Sequence, residues 1–137
     1  MRAWKVHEFG LPADVLKLDE NSAAFEPGPG QLKIAVEAAG LGLPDVFMCA
    51  NKYPLTPPLP FIPSQEAAGK VIAVGDGVDP AILGTRVLGP TLFQAQRGGL
   101  ADECLMHART AFAIPDDMPG EEAAGFFIPY LTAWIGL

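Results

Sequence analysis

Few residues in this sequence have the types and spacing that chemistry needs. Cys104 and His107 form a C-x-x-H pair, a spacing that zinc sites use. The pattern around them reads as a strand, in which residues three apart point to opposite faces, so the two side chains cannot meet on one ion. Cys49 and His7 lie far off and show no ligand spacing. The acidic doublets Asp19–Glu20, Asp102–Glu103, Asp116–Asp117 and Glu121–Glu122 raise the possibility of a paired-carboxylate hydrolase. Neighbours in a strand face opposite sides, however, and Glu121–Glu122 suit the positive end of a helix, so these read as solvated charges. Ser22 and Ser64 are the only serines, and neither sits in a G-x-S-x-G elbow. Gly75 and Gly77 precede Val78–Asp79–Pro80 rather than a helix, which marks a turn and not a dinucleotide fingerprint. What remains is a polar scatter among turns, Asp45, Tyr53, Gln65, Glu66 and Thr132, that spacing alone does not select as a site.

Something must position these groups, and the composition favours short strands. The chain has 137 residues, half of them apolar, with 15 glycines and 14 prolines. Gln31 to Ala38 alternates apolar and polar residues, the mark of a half-buried strand, and follows the turn at 27–30. Shorter strands are expected at Arg2–Val6, Val15–Leu18, Ala67–Val74, Arg86–Leu88, Leu100–Met106 and Ala111–Ile114. Helical signal is confined to Asp45–Ala50 and to the region after Pro119. This spacing of strands and turns predicts a mainly β barrel or sandwich with short helices.

Sixteen acidic residues against nine basic ones give a net charge of −7, which argues against a nucleic-acid footprint or an anionic membrane surface. Fifteen uncharged residues run from Ala123 to Leu137, short of the roughly 20 that a membrane span needs. Two cysteines make no disulfide scaffold and no basic-plus-apolar leader opens the chain, so the cytoplasm is the expected compartment. The last residues carry Leu131, Trp134 and Ile135 at helical spacing and stop without a helix stop signal. A fragment of a longer protein is the expectation, against the alternative of a terminal helix packed on its own domain.

Read in order, several stretches resemble the N-terminal, GroES-like half of the medium-chain dehydrogenase/reductase superfamily. MRAWKVHEFGLPADVLKLDE resembles the first hairpin of its quinone oxidoreductase branch, and PGPGQLKIAVEAAGLGLPD the next strand and the turn into a helix. PFIPSQEAAGKVIAVGDGV at 60–78, GTRV at 84–87, GGLADE at 98–103 and IPDDMPGEEAAGFFIPYLTAWIGL at 114–137 follow in the family's order. Zinc alcohol dehydrogenases of the superfamily carry a ligand cysteine and a ligand histidine where this chain has Gly42 and Gln65. A glycine offers no donor and a neutral amide is a poor one for zinc. Leu88 to Gly99 also lacks the cysteines of a structural zinc lobe. The resemblance therefore implies the zinc-independent branch, although that branch typically has asparagine where Gly42 stands.

The implied fold is a GroES-like, partly open β-barrel over residues 1–128. Residues 129–137 would start the helix leading to a Rossmann domain outside this sequence. The implied activity is hydride transfer from NADPH, held mainly by that other domain, to quinones, enones or similar activated double bonds, in a homodimeric parent. Alternatives are a zinc-type alcohol dehydrogenase relative with lost ligands and a non-catalytic GroES-like binding module. By the family pattern, Tyr53 and Gln65 are the expected catalytic residues. Thr132, Asp45 and Phe47 are the expected cofactor-side residues, with Asp45 also readable as a helix-start residue. No metal ligand is expected.

Overall fold

Alternating burial in the strand that opens at Gln31 organises the molecule. In the computed structural model, which describes residues 1–137, β3 (Gln31–Gly40) sends Leu32 and Ile34 into the core with no exposed surface. Its N-terminal neighbours β1 (Ala3–Val6) and β2 (Leu16–Asp19) form a separate antiparallel pair. The main sheet adds β4 (Glu66–Val74), β5 (Arg86–Pro90), β6 (Glu103–His107) and β7 (Phe112–Ala113) in the order β6-β3-β4-β5-β7. All of its pairings are antiparallel. Past the end of β5, Leu92 donates to the Leu105 carbonyl at 2.8 Å, and Thr91 bridges Met106. That link curls the sheet toward closure at one end while β7 leaves it open at the other. The expected mainly β, partly open architecture with short helices is what the chain adopts.

Inside the curl, Leu32, Ile34, Val71, Val87, Cys104 and Met106 form one buried cluster. Cys104 is fully buried while His107 on the same strand is exposed, so the two do point apart. Close approach of β3 and β4 depends on Gly69, where a Cβ would lie 2.1 Å from the Ala35 carbonyl oxygen. Two expectations shift. A single helical turn, α1 (Pro12–Val15), lies between the first two expected strands and takes Val15 from the second, since four residues are too few to show a period. The strand expected from Leu100 starts three residues later. Residues 99 and 100 instead donate to the Ser64 and Pro63 carbonyls at 3.0 and 3.1 Å. The acidic doublets are also less free than expected: Asp19 pairs with Lys5 at 2.8 Å, Asp102 with Arg2 at 2.9 Å and Glu103 with Lys33 at 3.1 Å.

Three further helices frame one end of the sheet. α2 (Leu43–Cys49) follows β3, and α3 (Gly120–Ala124) and α4 (Phe127–Gly136) complete the chain. α3 buries Ala123 and Ala124 against Ala68 and Leu88. Arg86 fixes the approach to α3. Its guanidinium grips Glu37 through Nε and Nη2 and donates to the carbonyls of Pro115, Asp116 and Met118 at 2.9–3.1 Å. No helix is long and apolar enough to cross a membrane.

Candidate functional site

Three polar residues meet where α2 begins, β4 begins and α4 begins. Asp45 stands in the first turn of α2, where an acidic side chain satisfies free N–H groups. Its Oδ2 accepts from the Gly42 N–H at 2.9 Å and its Oδ1 from the Ser64 N–H at 2.8 Å. Ser64 is buried at φ +80°, a conformation that costs an L-residue of order 1–3 kcal/mol and is held here by its surroundings. Its Oγ donates to the Glu66 carbonyl, and its own carbonyl accepts from Thr91 Oγ1, both at 2.7 Å. The segment Pro63–Glu66 is thereby pinned on every side.

Gln65 rides on that pinned segment. Its carbonyl accepts from the Thr91 N–H at 2.9 Å, while its side-chain Nε2 is buried and has no hydrogen-bond partner. The residue is 8% exposed, so water does not readily replace the missing acceptor. A buried amide donor without a partner costs of order 1–3 kcal/mol. Glu66 is next, 7% exposed, with Oε2 accepting from the Ile128 N–H at 2.8 Å. Burial pushes both carboxyls above their ordinary range; for Glu66 the nearby Asp45 adds to the rise, and backbone N–H groups oppose it in each case. Burial, with Asp45 one turn before it, also raises the Cys49 thiol.

The other expected residues are spread around this core. Tyr53 is half-buried against the cluster of Val6, Val15, Met48, Cys49 and Phe61, and its carbonyl anchors Thr56. Its hydroxyl makes no bond within the chain. Phe47 lies on the exposed side of α2, two residues from buried Asp45, so these two do not share a face. Thr132 is on exposed α4, one turn beyond Ile128. The structure thus ties Asp45 to the Ser64–Glu66 segment through the Ser64 N–H, ties the start of α4, four residues before Thr132, to Glu66, and shows no such link for Tyr53 or Phe47. The role of Glu66 at α4 was not foreseen. A signal existed: Phe126 precedes the helix with no capping side chain, so the cap had to come from elsewhere.

The donor set does not suit a metal. No three His, Cys, Asp or Glu side chains lie close enough to share an ion. Gly42 has no donor atom, and both Asp45 oxygens are engaged by backbone.

With this geometry in place, the comparisons are consistent with one another. The model of the alcohol dehydrogenase GroES-like domain matches residues 28–134, and the chain belongs to that family. It is 35% identical over 136 residues to the quinone oxidoreductase-like protein 2 homolog of Nematostella vectensis. That match covers 99% of this chain and 36% of the relative. To the synaptic vesicle membrane protein VAT-1 homolog of Homo sapiens it is 39% identical over 126 residues, covering 90% of this chain and 31% of that protein. Among solved structures it is similar to the quinone oxidoreductase of Escherichia coli complexed with NADPH, with a TM-score of 0.84 and 29% identity. There all of this chain matches 40% of that one. The chain thus spans about a third of the length of these two curated relatives.

Proposed function

We propose that this domain is the substrate-side part of an NADPH-dependent oxidoreductase that transfers hydride to quinones, enones or similar activated double bonds without zinc. Its likeness over the whole chain to a quinone oxidoreductase solved with NADPH carries the reading. The relatives' greater length supports a nucleotide-binding part contributed by sequence outside these residues, and the family resemblance supports a homodimer.

When bound, NADPH supplies the hydride. The chain's own residues then have to orient the acceptor and stabilise charge developing on its oxygen. Gln65 Nε2 is the preformed donor for that oxygen, because it is already desolvated and has no competing partner in the fold. Tyr53, with its hydroxyl free, gives a second donor at the cleft wall. Thr132 offers the nicotinamide-side hydroxyl, and Phe47 an exposed apolar ring on the outer side of α2. Asp45 belongs to the cofactor side and pins the Gly42 and Ser64 backbone there. The absence of a converging ligand set supports the zinc-independent form. Buried free thiols at Cys49 and Cys104 suit a reducing cytoplasm.

The test is NADPH consumption by the natural-length protein against a panel of quinones, enals and unactivated ketones. Acceptor-dependent oxidation with the conjugated compounds and little with simple ketones is expected, unchanged by chelators. Oxidation that needs added zinc, or none with any conjugated acceptor, overturns the reading.

A further inference from the structure

The first turn of α4 raises an accounting question. A helix leaves its first N–H groups without partners, and they must be met by a cap, water or other chain. Phe126, at the capping position, has no suitable side chain and makes no side-chain cap. Pro129 removes one N–H outright. Tyr130 donates back to the Phe126 carbonyl at 3.2 Å, which begins the regular helical ladder. That leaves Phe127 and Ile128, and the second of these meets a buried carboxylate. Ile128 donates to Glu66 Oε2 at 2.8 Å. The cap of α4 therefore comes from β4, some sixty residues earlier.

The surroundings are built to admit this carboxylate. Gly40 is paired with Glu66 across the sheet, and a Cβ there would lie 2.5 Å from both Glu66 Cγ and the Ala124 carbonyl oxygen. Only a hydrogen fits between the side chain and the end of α3. Glu66 pairs with no cation, so the Ile128 N–H and the positive end of the helix are what offset its burial. Gln65 precedes Glu66 in the chain, and Thr132 follows Ile128 by one turn.

We propose that Glu66 is a positioning residue: its carboxylate caps α4 from the sheet and so fixes where Thr132 stands relative to Gln65. The catalytic half of this statement rests on the hydride-transfer reading above; the capping half does not. Glu66 touches neither acceptor nor cofactor in this assignment. Glutamine keeps an oxygen that accepts from the Ile128 N–H, whereas alanine leaves it unmet.

The experiment compares Glu66→Gln and Glu66→Ala in the natural-length protein by hydrogen-exchange mass spectrometry and by steady-state kinetics. In Glu66→Ala, exchange across 126–130 is expected to speed up about tenfold or more, with β3 and β4 unchanged as the control for folding. Turnover should fall about 10- to 100-fold, with KM for NADPH within about threefold of wild type. Glu66→Gln should restore both to within about threefold. Unchanged exchange at 126–130 in Glu66→Ala overturns the cap. Glutamine failing as badly as alanine in turnover overturns the positioning role, because charge itself would then matter. A wild-type protein for which no conjugated acceptor supports NADPH oxidation defeats the hydride-transfer reading and with it the catalytic half, while the exchange result still decides the cap.

Discussion

Gln65→Leu is expected to lower kcat/KM for a quinone or enal about 100-fold while leaving the fold as stable as before or about 1 kcal/mol more stable. The two effects have one cause. Gln65 Nε2 is buried with no acceptor, so the resting fold carries an unmet donor. Leucine of similar volume removes that penalty, and replacing an unsatisfied polar group by an apolar one is neutral or stabilising. If the acceptor's oxygen is the missing partner, the same change removes a donor aimed at charge that grows during hydride transfer, a loss of roughly 3 kcal/mol. Urea denaturation and NADPH-oxidation kinetics on the same variant measure the pair. Loss of stability together with full activity would make Gln65 a packing residue, and the site would have to be sought elsewhere.

Asp45→Ala should instead cost stability, about 3 kcal/mol near neutral pH. Both oxygens of this buried carboxylate are engaged by N–H groups, those of Gly42 and Ser64, and alanine leaves the two donors facing an apolar wall. Asparagine keeps one acceptor but turns its NH2 toward the other N–H, so it should recover only about half of the loss. The pH dependence has a definite sign. Burial raises the folded-state pKa of Asp45 above its ordinary 3.8. Below 3.8 the group is neutral in the folded and the unfolded chain alike. As the pH climbs from there through the raised value, the unfolded chain ionises first and the fold loses ground. Wild type should therefore lose stability relative to Asp45→Asn across that window and run parallel to it above. Urea titrations of the two proteins at a series of pH values give the difference directly. Such a difference also cancels Asp19, Glu37 and Asp102, whose partners Lys5, Arg86 and Arg2 hold them below their ordinary values and so act in the opposite sense.

The strands were legible because a half-buried strand writes its period into the sequence. Leu32, Ile34 and Val36 are spaced two apart, and the β3 they define sits inside the sheet between β6 and β4. The opposition of Cys104 and His107 followed from the same period. Elements that depend on a single turn or on partners distant in sequence were not legible. α1 has only four residues, and the pull of Gly99 and Leu100 toward Pro63–Ser64 shortens β6 by a pairing that no local pattern announces. The site divides in the same way. Residue types placed Asp45 at a helix start, which its bond to Gly42 matches. That its second oxygen reaches Ser64, that Ser64 is left-handed, and that Gln65 is left without a partner are facts of three-dimensional closure. Glu66 stands out in the sequence only as one of several polar residues among turns, because its partner at Ile128 lies 62 residues away.

The placement of the two indole rings has a spectroscopic consequence. Trp4 is 43% exposed and Trp134 79%, so neither ring lies in the core that β3 to β6 enclose. Intrinsic emission should consequently sit near that of solvated indole in the native chain and change little when the sheet melts. Trp134 lies with Leu88, Phe112, Phe127 and Tyr130 along one apolar groove, where Phe126 stacks on Tyr130 at 4.5 Å between ring centres. A blue shift in that emission would thus signal something settling over the groove, and would leave the melting of the barrel to be followed by circular dichroism.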